Sequence, residues 1–281
     1  MRFATLRLPA GGTTAAVDRG DGWHRLPAPD LSAHLAASHD RDVAELVGEP
    51  VGDGEPVLPL PAPAKVVCCG LNYADHILEM GRELPAHPTL FAKFADTLAG
   101  PGDVLELPAG SHNDWEGELA VVVGTALRHA GPEQAAAGIW GYAVANDVSV
   151  RDWQNRTLQW FQGKAWDGST PLGPVVVTPD ELDPVAGVEV ITRVDGVERQ
   201  RGNTKTLVFD AAHLLSYVST FTQLRPGDVV LTGTPGGVGS GMRPPRFLTD
   251  GALLETEIPG IGTLRNRIAL TGPTGAGQEL A

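Results

Sequence analysis

The chain has 281 residues, of which 42% are hydrophobic and 20% are charged, so it can bury a sizeable core without disulfide bonds. Its formal net charge is −13, from 34 acidic residues against 21 Lys and Arg. This balance argues against nucleic-acid binding, because phosphates are bound by clustered cations. The two cysteines, Cys68 and Cys69, are adjacent, which favours a reducing compartment over a disulfide framework.

The N-terminal stretch MRFATLRLPAGG lacks a continuous apolar segment. No run approaches the roughly 18 apolar residues of a membrane span. We therefore expect a cytoplasmic protein that does not contact a membrane. The 35 glycines and 23 prolines favour short strands and turns, so a β-rich fold is predicted.

Residues 1–60 are predicted to form a small N-terminal domain. Short apolar stretches are followed by LSAHLAASHDRDVAELVG, whose composition suits a helix. The next segment, EPVGDGEPVLPLPAPAK, is rich in proline and glycine and is typical of a connector. The domain boundary is therefore predicted near Pro61.

Residues 61–270 are predicted to form the larger domain. KVVCCG is an apolar strand, and NYADHILEMG is a short helix with Asn72 as its N-cap and Gly81 at its end. Five further strands are predicted in GELAVVVG, GYAVANDVSV, LGPVVVT, GVEVITRVDGVERQRG and PGDVVLTG.

Two local signals in the second half of the larger domain each predict a particular turn or helix start. Asp195-Gly196 predicts a tight hairpin, and Asp210 is placed to cap the amphipathic helix AAHLLSYVSTF. Residues 271–281 have the composition of a flexible tail.

Several familiar kinds of site are not indicated. The glycine-rich LTGTPGGVGSGM lacks the Lys-Ser/Thr of a phosphate-binding loop and is followed by RPPR, which does not open a helix cleanly. There is no G-x-S-x-G motif, and the eight histidines show no zinc-binding spacing.

Paired carboxylates stand at the start of the stretch NDWEGELAVVVG. Glu116 and Glu118 are two apart, so on a strand they share a face. Asp147, at the end of a neighbouring predicted strand, offers a third carboxylate, and such a set favours Mg²⁺ or Mn²⁺. A solvated strand edge is the alternative, although the apolar LAVVVG that follows favours a buried pair.

Two further elements have two interpretations each. His76 and Glu79 share a helix face, so the carboxylate could orient the imidazole as a general base, or the two could be a surface pair. Lys164 in FQGKAWDGSTPLGP could complete an anion site beside a metal, or it could be a solvated loop cation.

Taken together, these motifs resemble the fumarylacetoacetate hydrolase family. The matching stretches include CGLNYADHILE, DWEGELAVVVG, GYAVANDVSVRDWQ, GKAWDGSTPLGP and LTGTPGGVGSGMRPPRFLTDG, within about residues 65–268. The resemblance implies a mixed α+β, β-rich fold with a β-roll catalytic domain, assembled as a homodimer that holds Mg²⁺ or Mn²⁺. Residues 1–60 match poorly.

The resemblance also implies roles for individual residues. The metal ligands would be Glu116, Glu118 and Asp147. The catalytic residues would be His76, Glu79 and Lys164. The substrate-binding residues would be Gln154 and Thr234, and Arg151 is predicted as a third substrate-binding residue on its charge. A second carboxylate at the far end of a substrate could meet any of four cations, each of which could equally be a surface residue: Arg82, Lys93, Arg151 and Arg243.

The reaction implied by the resemblance acts on a small 2-oxo acid. The leading hypothesis is a metal-dependent hydrolase that cleaves a C–C bond of a 2,4-diketo acid, such as acylpyruvate or fumarylpyruvate, through a metal-stabilised enolate. Degradation of an aromatic compound is the expected context. The alternative is an isomerase or decarboxylase of 2-hydroxyhepta-2,4-diene-1,7-dioate or an oxaloacetate-like acid. A third hypothesis is a non-catalytic protein that binds 2-oxo acids.

Overall fold

The computed structural model describes residues 1–38, 48–79, 81 and 83–272, with the side chains of His76 and Glu79 outside the description. The predictions for Arg82, for most of the tail and for the second half of the N-terminal helical stretch therefore concern residues outside the described part of the chain. Within the described part of the chain, no helix is long and apolar enough to cross a membrane.

The described residues form eighteen strands. In chain order they are β1 (Arg2–Arg7), β2 (Thr13–Asp18), β3 (Trp23–Arg25), β4 (Glu55–Val57), β5 (Val66–Gly70), β6 (Thr89–Lys93), β7 (Leu98–Ala99), β8 (Leu105–Pro108), β9 (Asn113–Asp114), β10 (Gly117–Val123), β11 (Ile139–Asn146), β12 (Ser149–Val150), β13 (Thr170–Val177), β14 (Glu189–Val194), β15 (Val197–Asn203), β16 (Val229–Leu231), β17 (Leu253–Ile258) and β18 (Gly262–Thr271).

Six α-helices accompany these strands in the described residues. They are α1 (Leu31–Ala37), α2 (Ala74–Glu79), α3 (Pro132–Ala137), α4 (Arg151–Gln154), α5 (Phe161–Lys164) and α6 (Ala211–Phe221). The predicted mixed, strand-rich fold is confirmed.

The strands build one large sheet and two smaller ones. The central path of the large sheet is β3-β2-β1-β13-β11-β10-β16-β5-β6, with β4 paired to β1 and β7 to β13. A five-stranded sheet has the order β15-β14-β17-β18-β8, and β9 pairs with β12. Strand β10 packs against β14, and β11 packs against β17, so the two main sheets face each other at the centre of the large one.

Strand β1 joins the N-terminal segment to the larger domain. It pairs antiparallel with β13, with Arg2 opposite Val177 and Phe3 opposite Val176, and β4 pairs with its other end. The large sheet is therefore continuous across the boundary predicted near Pro61. The connector also contains a strand, because β4 lies within its proline- and glycine-rich sequence.

Strand β10 is buried on both faces, and its side chains alternate between two apolar clusters. Leu119 and Val121 join the cluster that contains the apolar face of α6, whereas Ala120 and Val122 join the cluster that contains α1. A strand that is buried on both faces has a continuous apolar sequence, and LAVVV in β10 is such a sequence. This strand gives the carboxylates at its start a rigid support.

Local sequence signals predicted the β14–β15 turn and the N-cap of α6 correctly, and they predicted the N-cap of α2 wrongly. Asp195 and Gly196 both have positive φ at the β14–β15 hairpin, and Asp210 accepts a hydrogen bond from His213 N at 2.8 Å at the start of α6. Asn72 was predicted to cap α2, but its buried amide instead donates to Phe209 O and Thr232 O, both at 2.8 Å. The Asn72 side chain therefore makes tertiary hydrogen bonds instead of capping the helix.

Candidate active site

Three carboxylates meet where β10 begins and β11 ends. Glu116 precedes β10, Glu118 lies within it and Asp147 follows β11, and the two strands pair with Gly117 opposite Asn146. The main chain fixes this arrangement, because Asp147 N donates to Glu116 O at 2.8 Å. One ligand oxygen from each carboxylate lies within 4.8 Å of the others, and no other such acidic, His or Cys group occurs among the described residues.

Gly117 separates the two glutamates because no side chain fits on the opposite face of the strand. A Cβ built on Gly117 would lie 2.2 Å from Thr192 Oγ1 and 3.1 Å from Thr256 Cγ2, both on the facing sheet. The absence of a side chain lets the two sheets approach closely while Glu116 and Glu118 point away from the contact. The glycine of the motif E-G-E therefore serves sheet packing, while the two glutamates are candidate metal ligands.

Replacing Gly117 by alanine is expected to destabilise the fold by about 1–3 kcal/mol, because the added methyl group overpacks the sheet interface. The double variant G117A/T192A is expected to recover part of this loss, since it removes the nearest atom, Thr192 Oγ1, which has no hydrogen-bond partner within the described structure. Urea unfolding measures both. Gly131→Ala, where no atom lies within 4 Å of the added Cβ, is the control. A double variant no more stable than G117A would contradict the packing explanation.

Lys164, the last residue of α5, bridges two of the three carboxylates. Its Nζ donates to Glu116 Oε2 and to Asp147 Oδ2, both at 2.7 Å, and its side chain is almost fully buried. Burial alone would lower the pKa of this ammonium group, but the charges of Asp147 and Glu116 outweigh it and raise the pKa. Lys164 therefore stays charged and holds Glu116 and Asp147 together.

Lys93 is a second buried cation on the same carboxylate. Its Nζ lies 2.5 Å from Asp147 Oδ1 and donates to Thr170 Oγ1 at 2.6 Å. Burial favours the neutral form of Asp147, but the ammonium groups of Lys164 and Lys93 lower its pKa below the usual range. Sequence analysis offered Lys93 as a partner for a distal substrate carboxylate. Its ammonium group instead forms a buried ion pair with Asp147.

Arg151, at the start of α4, links the carboxylates to a residue that sequence analysis missed. Its Nη2 lies 2.7 Å from Glu116 Oε1 and 2.8 Å from Asp114 Oδ2, and its Nη1 donates to Gln154 Oε1 at 2.7 Å. Asp114 also accepts from Gly239 N at 2.7 Å and Ser240 N at 2.9 Å. Asp114 thus ties the glycine-rich segment to the arginine that holds Glu116. The sequence signal that could have indicated a role for Asp114 was its position next to Trp115 and two residues before Glu116.

Thr234 lies in the glycine-rich segment and is held on both sides. Its hydroxyl donates to Gly117 O at 3.0 Å and accepts from Gln200 Nε2 at 2.8 Å. Gln200 in turn accepts from Gly117 N at 2.9 Å, so Thr234 and Gln200 fix the backbone between Glu116 and Glu118. Gln200 was missed because it comes from the β14–β15 hairpin, and no local pattern links it to β10.

Glu118 is the carboxylate of the trio without a cationic partner. It accepts a hydrogen bond from Gly233 N at 2.6 Å, and among the described residues no Lys or Arg forms an ion pair with it. Burial raises its pKa well above the usual range, and the negative charges of Asp147 and Glu116 raise it further.

A divalent cation would supply the missing positive charge. The cluster contains four buried carboxylates, Asp114 included, but only three of them form ion pairs with its three buried or nearly buried cations, and Glu118 forms none. Hard oxygen donors without His or Cys suit Mg²⁺ or Mn²⁺. The residues present therefore fit the ion that the resemblance implies.

The trio borders a cavity of about 170 Å³, which it reaches through Glu116. The polar part of the lining consists of Glu116, Arg151, Gln154, Lys164, Thr234 and Ser240. The apolar part consists of Cys69, Gly70, Leu71, Phe91, Trp160 and Val238. All three predicted substrate-binding residues line this cavity. Burial raises the pKa of Cys69 to about 12, so this thiol stays protonated and unreactive.

The predicted His76–Glu79 pair lies on α2, whose backbone is described over Ala74–Glu79. The two side chains are outside the described residues, so their role stays a prediction. Arg243 is exposed and is not part of the cavity lining.

The family model described as "Fumarylacetoacetate (FAA) hydrolase C-terminal" matches residues 65–269. The chain belongs to the fumarylacetoacetate hydrolase family. Within this family it is 41% identical over 247 residues to the 2,4-didehydro-3-deoxy-L-rhamnonate hydrolase of Sphingomonas sp. (strain SKA58), covering 86% of each chain. It is 44% identical over 213 residues to human mitochondrial oxaloacetate tautomerase FAHD2A, covering 75% of this chain and 68% of the relative.

Solved structures of the fumarylacetoacetate hydrolase family share the fold. The fumarylacetoacetate hydrolase of Exiguobacterium antarcticum superposes with a TM-score of 0.86 at 36% identity, covering 96% of this chain and 100% of that one. Fumarylpyruvate hydrolase from Pseudomonas aeruginosa, in complex with Mn²⁺ and pyruvate, superposes with a TM-score of 0.66 at 35% identity, covering 74% and 91%. The prediction of a fumarylacetoacetate hydrolase fold is confirmed, and relatives in this family include hydrolases and a tautomerase.

Proposed function

We propose that this protein is a Mg²⁺- or Mn²⁺-dependent hydrolase that cleaves the C3–C4 bond of a 2,4-dioxo acid to pyruvate and a second carboxylic acid. The observation that carries the proposal is the buried trio Glu116, Glu118 and Asp147 beside a small cavity. Its volume is below the roughly 300–1,000 Å³ of pockets for drug-sized ligands, which suits a small acid.

The charge of the cluster supports a substrate with an anionic head. With its four carboxylates ionised, its three cations and a bound divalent ion, the cluster carries one net positive charge. The carboxylate of a 2-oxo acid would neutralise it. At physiological salt the acidic protein surface repels such a substrate only within about 8 Å, so the local charge dominates.

The metal would be held by Glu116, Glu118 and Asp147. When bound it supplies Lewis-acid polarisation of the 2-oxo group and neutralises the charge that develops as the C–C bond breaks. Lys164 keeps two of these carboxylates oriented. Gln154 lines the cavity and accepts from Arg151 through Oε1, so its amide N–H groups would remain to donate to the substrate.

Three named relatives bear on the reaction class. The Sphingomonas hydrolase is named for a 2,4-didehydro-3-deoxy acid, which is a 2,4-dioxo compound, and the Pseudomonas structure contains Mn²⁺ and pyruvate. The oxaloacetate tautomerase, at 44% identity, favours a second candidate in which the same site moves a proton without breaking a C–C bond. The homodimer, the cytoplasmic location and a place in aromatic degradation stay predictions.

Product analysis separates the two candidates. Metal-free protein, prepared with EDTA and then given Mn²⁺ or Mg²⁺, is incubated with acetylpyruvate, and pyruvate and acetate are measured. We expect both in equal amounts, and only after the metal is restored. Oxaloacetate is tested alongside for enol–keto conversion and CO₂ release. Turnover of oxaloacetate without fragmentation of any 2,4-dioxo acid would favour the tautomerase, and hydrolysis that survives complete metal removal would contradict the proposal.

Replacing His76 by alanine is expected to lower kcat for acetylpyruvate hydrolysis at least about 100-fold, because the predicted base would no longer take a proton from water. Mn²⁺ affinity should stay at the wild-type level, since the three metal ligands are untouched. Steady-state kinetics and calorimetry measure the two quantities, with His87→Ala as the control. An unchanged kcat would remove His76 from the mechanism.

A further inference from the structure

The lining of the cavity beside the carboxylates contains a polar and an apolar set of residues, called its polar half and its apolar half. Its polar half contains the carboxylate cluster with Arg151, Gln154 and Lys164. Its other half is formed by Trp160 and Phe91, with Leu71 and Val238 completing an apolar surface. A substrate whose chelating head lies in the polar half must place its far end against this apolar surface.

The described residues offer no free cation to that far end. Arg151 and Lys164 are the cationic side chains in the described lining, and both are paired with carboxylates. Lys93 is buried against Asp147, and Arg243 lies outside the lining. Among the described residues, a second substrate carboxylate in the apolar half would find no cation to offset the hydration it loses, which is unfavourable.

Trp160 belongs to the apolar half and is held in place by its neighbours. Its ring packs edge-on against Phe91, with ring centroids 5.8 Å apart. A Cβ built on Gly70 would lie 2.3 Å from Trp160 Cζ3, so the ring rests directly on bare backbone. Trp160 also immediately precedes α5, the helix that ends at Lys164. Trp160 is thus joined through one turn of helix to the lysine that contacts the carboxylate cluster.

We propose that the apolar half selects substrates whose far end is short and uncharged, and that Trp160 is the specificity-determining residue that sets this limit. The inference rests on the proposed function and makes it narrower. It distinguishes an acylpyruvate with a small alkyl or hydroxyalkyl tail from dicarboxylates that share the same head.

Binding without turnover tests the charge requirement. The probes are 2-oxopentanoate and 2-oxoglutarate, which have the same chain length and differ in the terminal carboxylate. Calorimetry on the Mn²⁺-loaded protein should give at least about 10-fold weaker binding of 2-oxoglutarate. Equal or tighter binding of 2-oxoglutarate would overturn the inference. Because neither compound needs to be cleaved, this result is independent of whether the protein is a hydrolase.

Chain-length profiles test the role of Trp160. For straight-chain acylpyruvates from acetyl to hexanoyl, the wild-type kcat/KM should fall at least about 10-fold once the tail meets the ring. Trp160→Ala should shift this fall to longer tails, and the milder Trp160→Phe should shift it less. Leu158→Ala, at a residue that is 98% exposed, is the matched control and should keep the wild-type profile.

An unchanged profile in both Trp160 variants would overturn the role of Trp160. Absence of cleavage across the whole series would contradict the proposed hydrolase function instead. In that case the same chain-length comparison is made by calorimetry with straight-chain 2-oxo acids, and the same shift in the variants is expected.

Discussion

Replacing Glu118 by glutamine is expected to abolish tight divalent-metal binding without destabilising the metal-free protein. Glu118 is buried, has no ion pair among the described residues and accepts one hydrogen bond, from Gly233 N. Glutamine can accept the same bond and carries no charge to be desolvated, so we expect the metal-free unfolding temperature to stay the same or rise. Mn²⁺ affinity and kcat/KM should each fall at least about 100-fold.

Calorimetry with Mn²⁺ and thermal unfolding with and without the ion measure these effects. A ligand that binds the native state raises the unfolding temperature, so wild type should be stabilised by Mn²⁺ and E118Q should not. Glu133→Gln changes an exposed glutamate and is the control. E118Q protein that binds Mn²⁺ as tightly as wild type would show that Glu118 is not a ligand, whereas a metal-free variant that unfolds at a much lower temperature would indicate a structural role.

Replacing Lys164 by methionine is expected to produce the largest loss of stability of any single change at the site. The variant removes the cation shared by Glu116 and Asp147 and leaves their charges buried. Removing one partner of a buried ion pair costs about 3–5 kcal/mol. We expect such a loss in the metal-free protein and a smaller one with saturating Mn²⁺, because the ion replaces part of the lost positive charge. Loss of preorganisation should also lower kcat/KM at least about 100-fold.

Urea unfolding with and without Mn²⁺ measures the loss of stability. Lys205→Met changes an exposed lysine and should alter stability by no more than about 0.5 kcal/mol. If K164M were equally destabilised in the presence and absence of metal, bound Mn²⁺ would not replace the charge of the lysine, and Lys164 would have only a structural role. If it were not destabilised at all, the ion pairs described here would not contribute to stability.

The sequence predicted the parts of the site that local pattern determines. The spacing of Glu116 and Glu118 put them on one face of a strand, and the strand end supplied Asp147, because antiparallel neighbours bring such ends together. The apolar run after the glutamates predicted a buried strand. The resemblance to the family added the position of Lys164.

The residues that were missed or misassigned depend on contacts distant in sequence. Asp114 and Gln200 act through bonds to segments that lie 125 residues and 83 residues away, respectively. Lys93 was predicted to be either a contact for a distal substrate carboxylate or a surface cation, because a lysine in a sequence gives its charge and not its partner. Its place in the otherwise apolar strand TLFAK was the available signal of burial. The pairing of β1 with β13 likewise has no local signal.

The central claim is that Glu116, Glu118 and Asp147 bind one divalent ion that meets the head of a 2-oxo acid. Crystals grown with Mn²⁺ and oxalate test it most directly through anomalous scattering. We expect one strong anomalous peak per chain within coordination distance of all three carboxylates, with oxalate beside it towards Arg151 and Gln154. If no anomalous peak lay at the three carboxylates at saturating Mn²⁺, or if the ion bound elsewhere on the chain, these residues would not be the metal site.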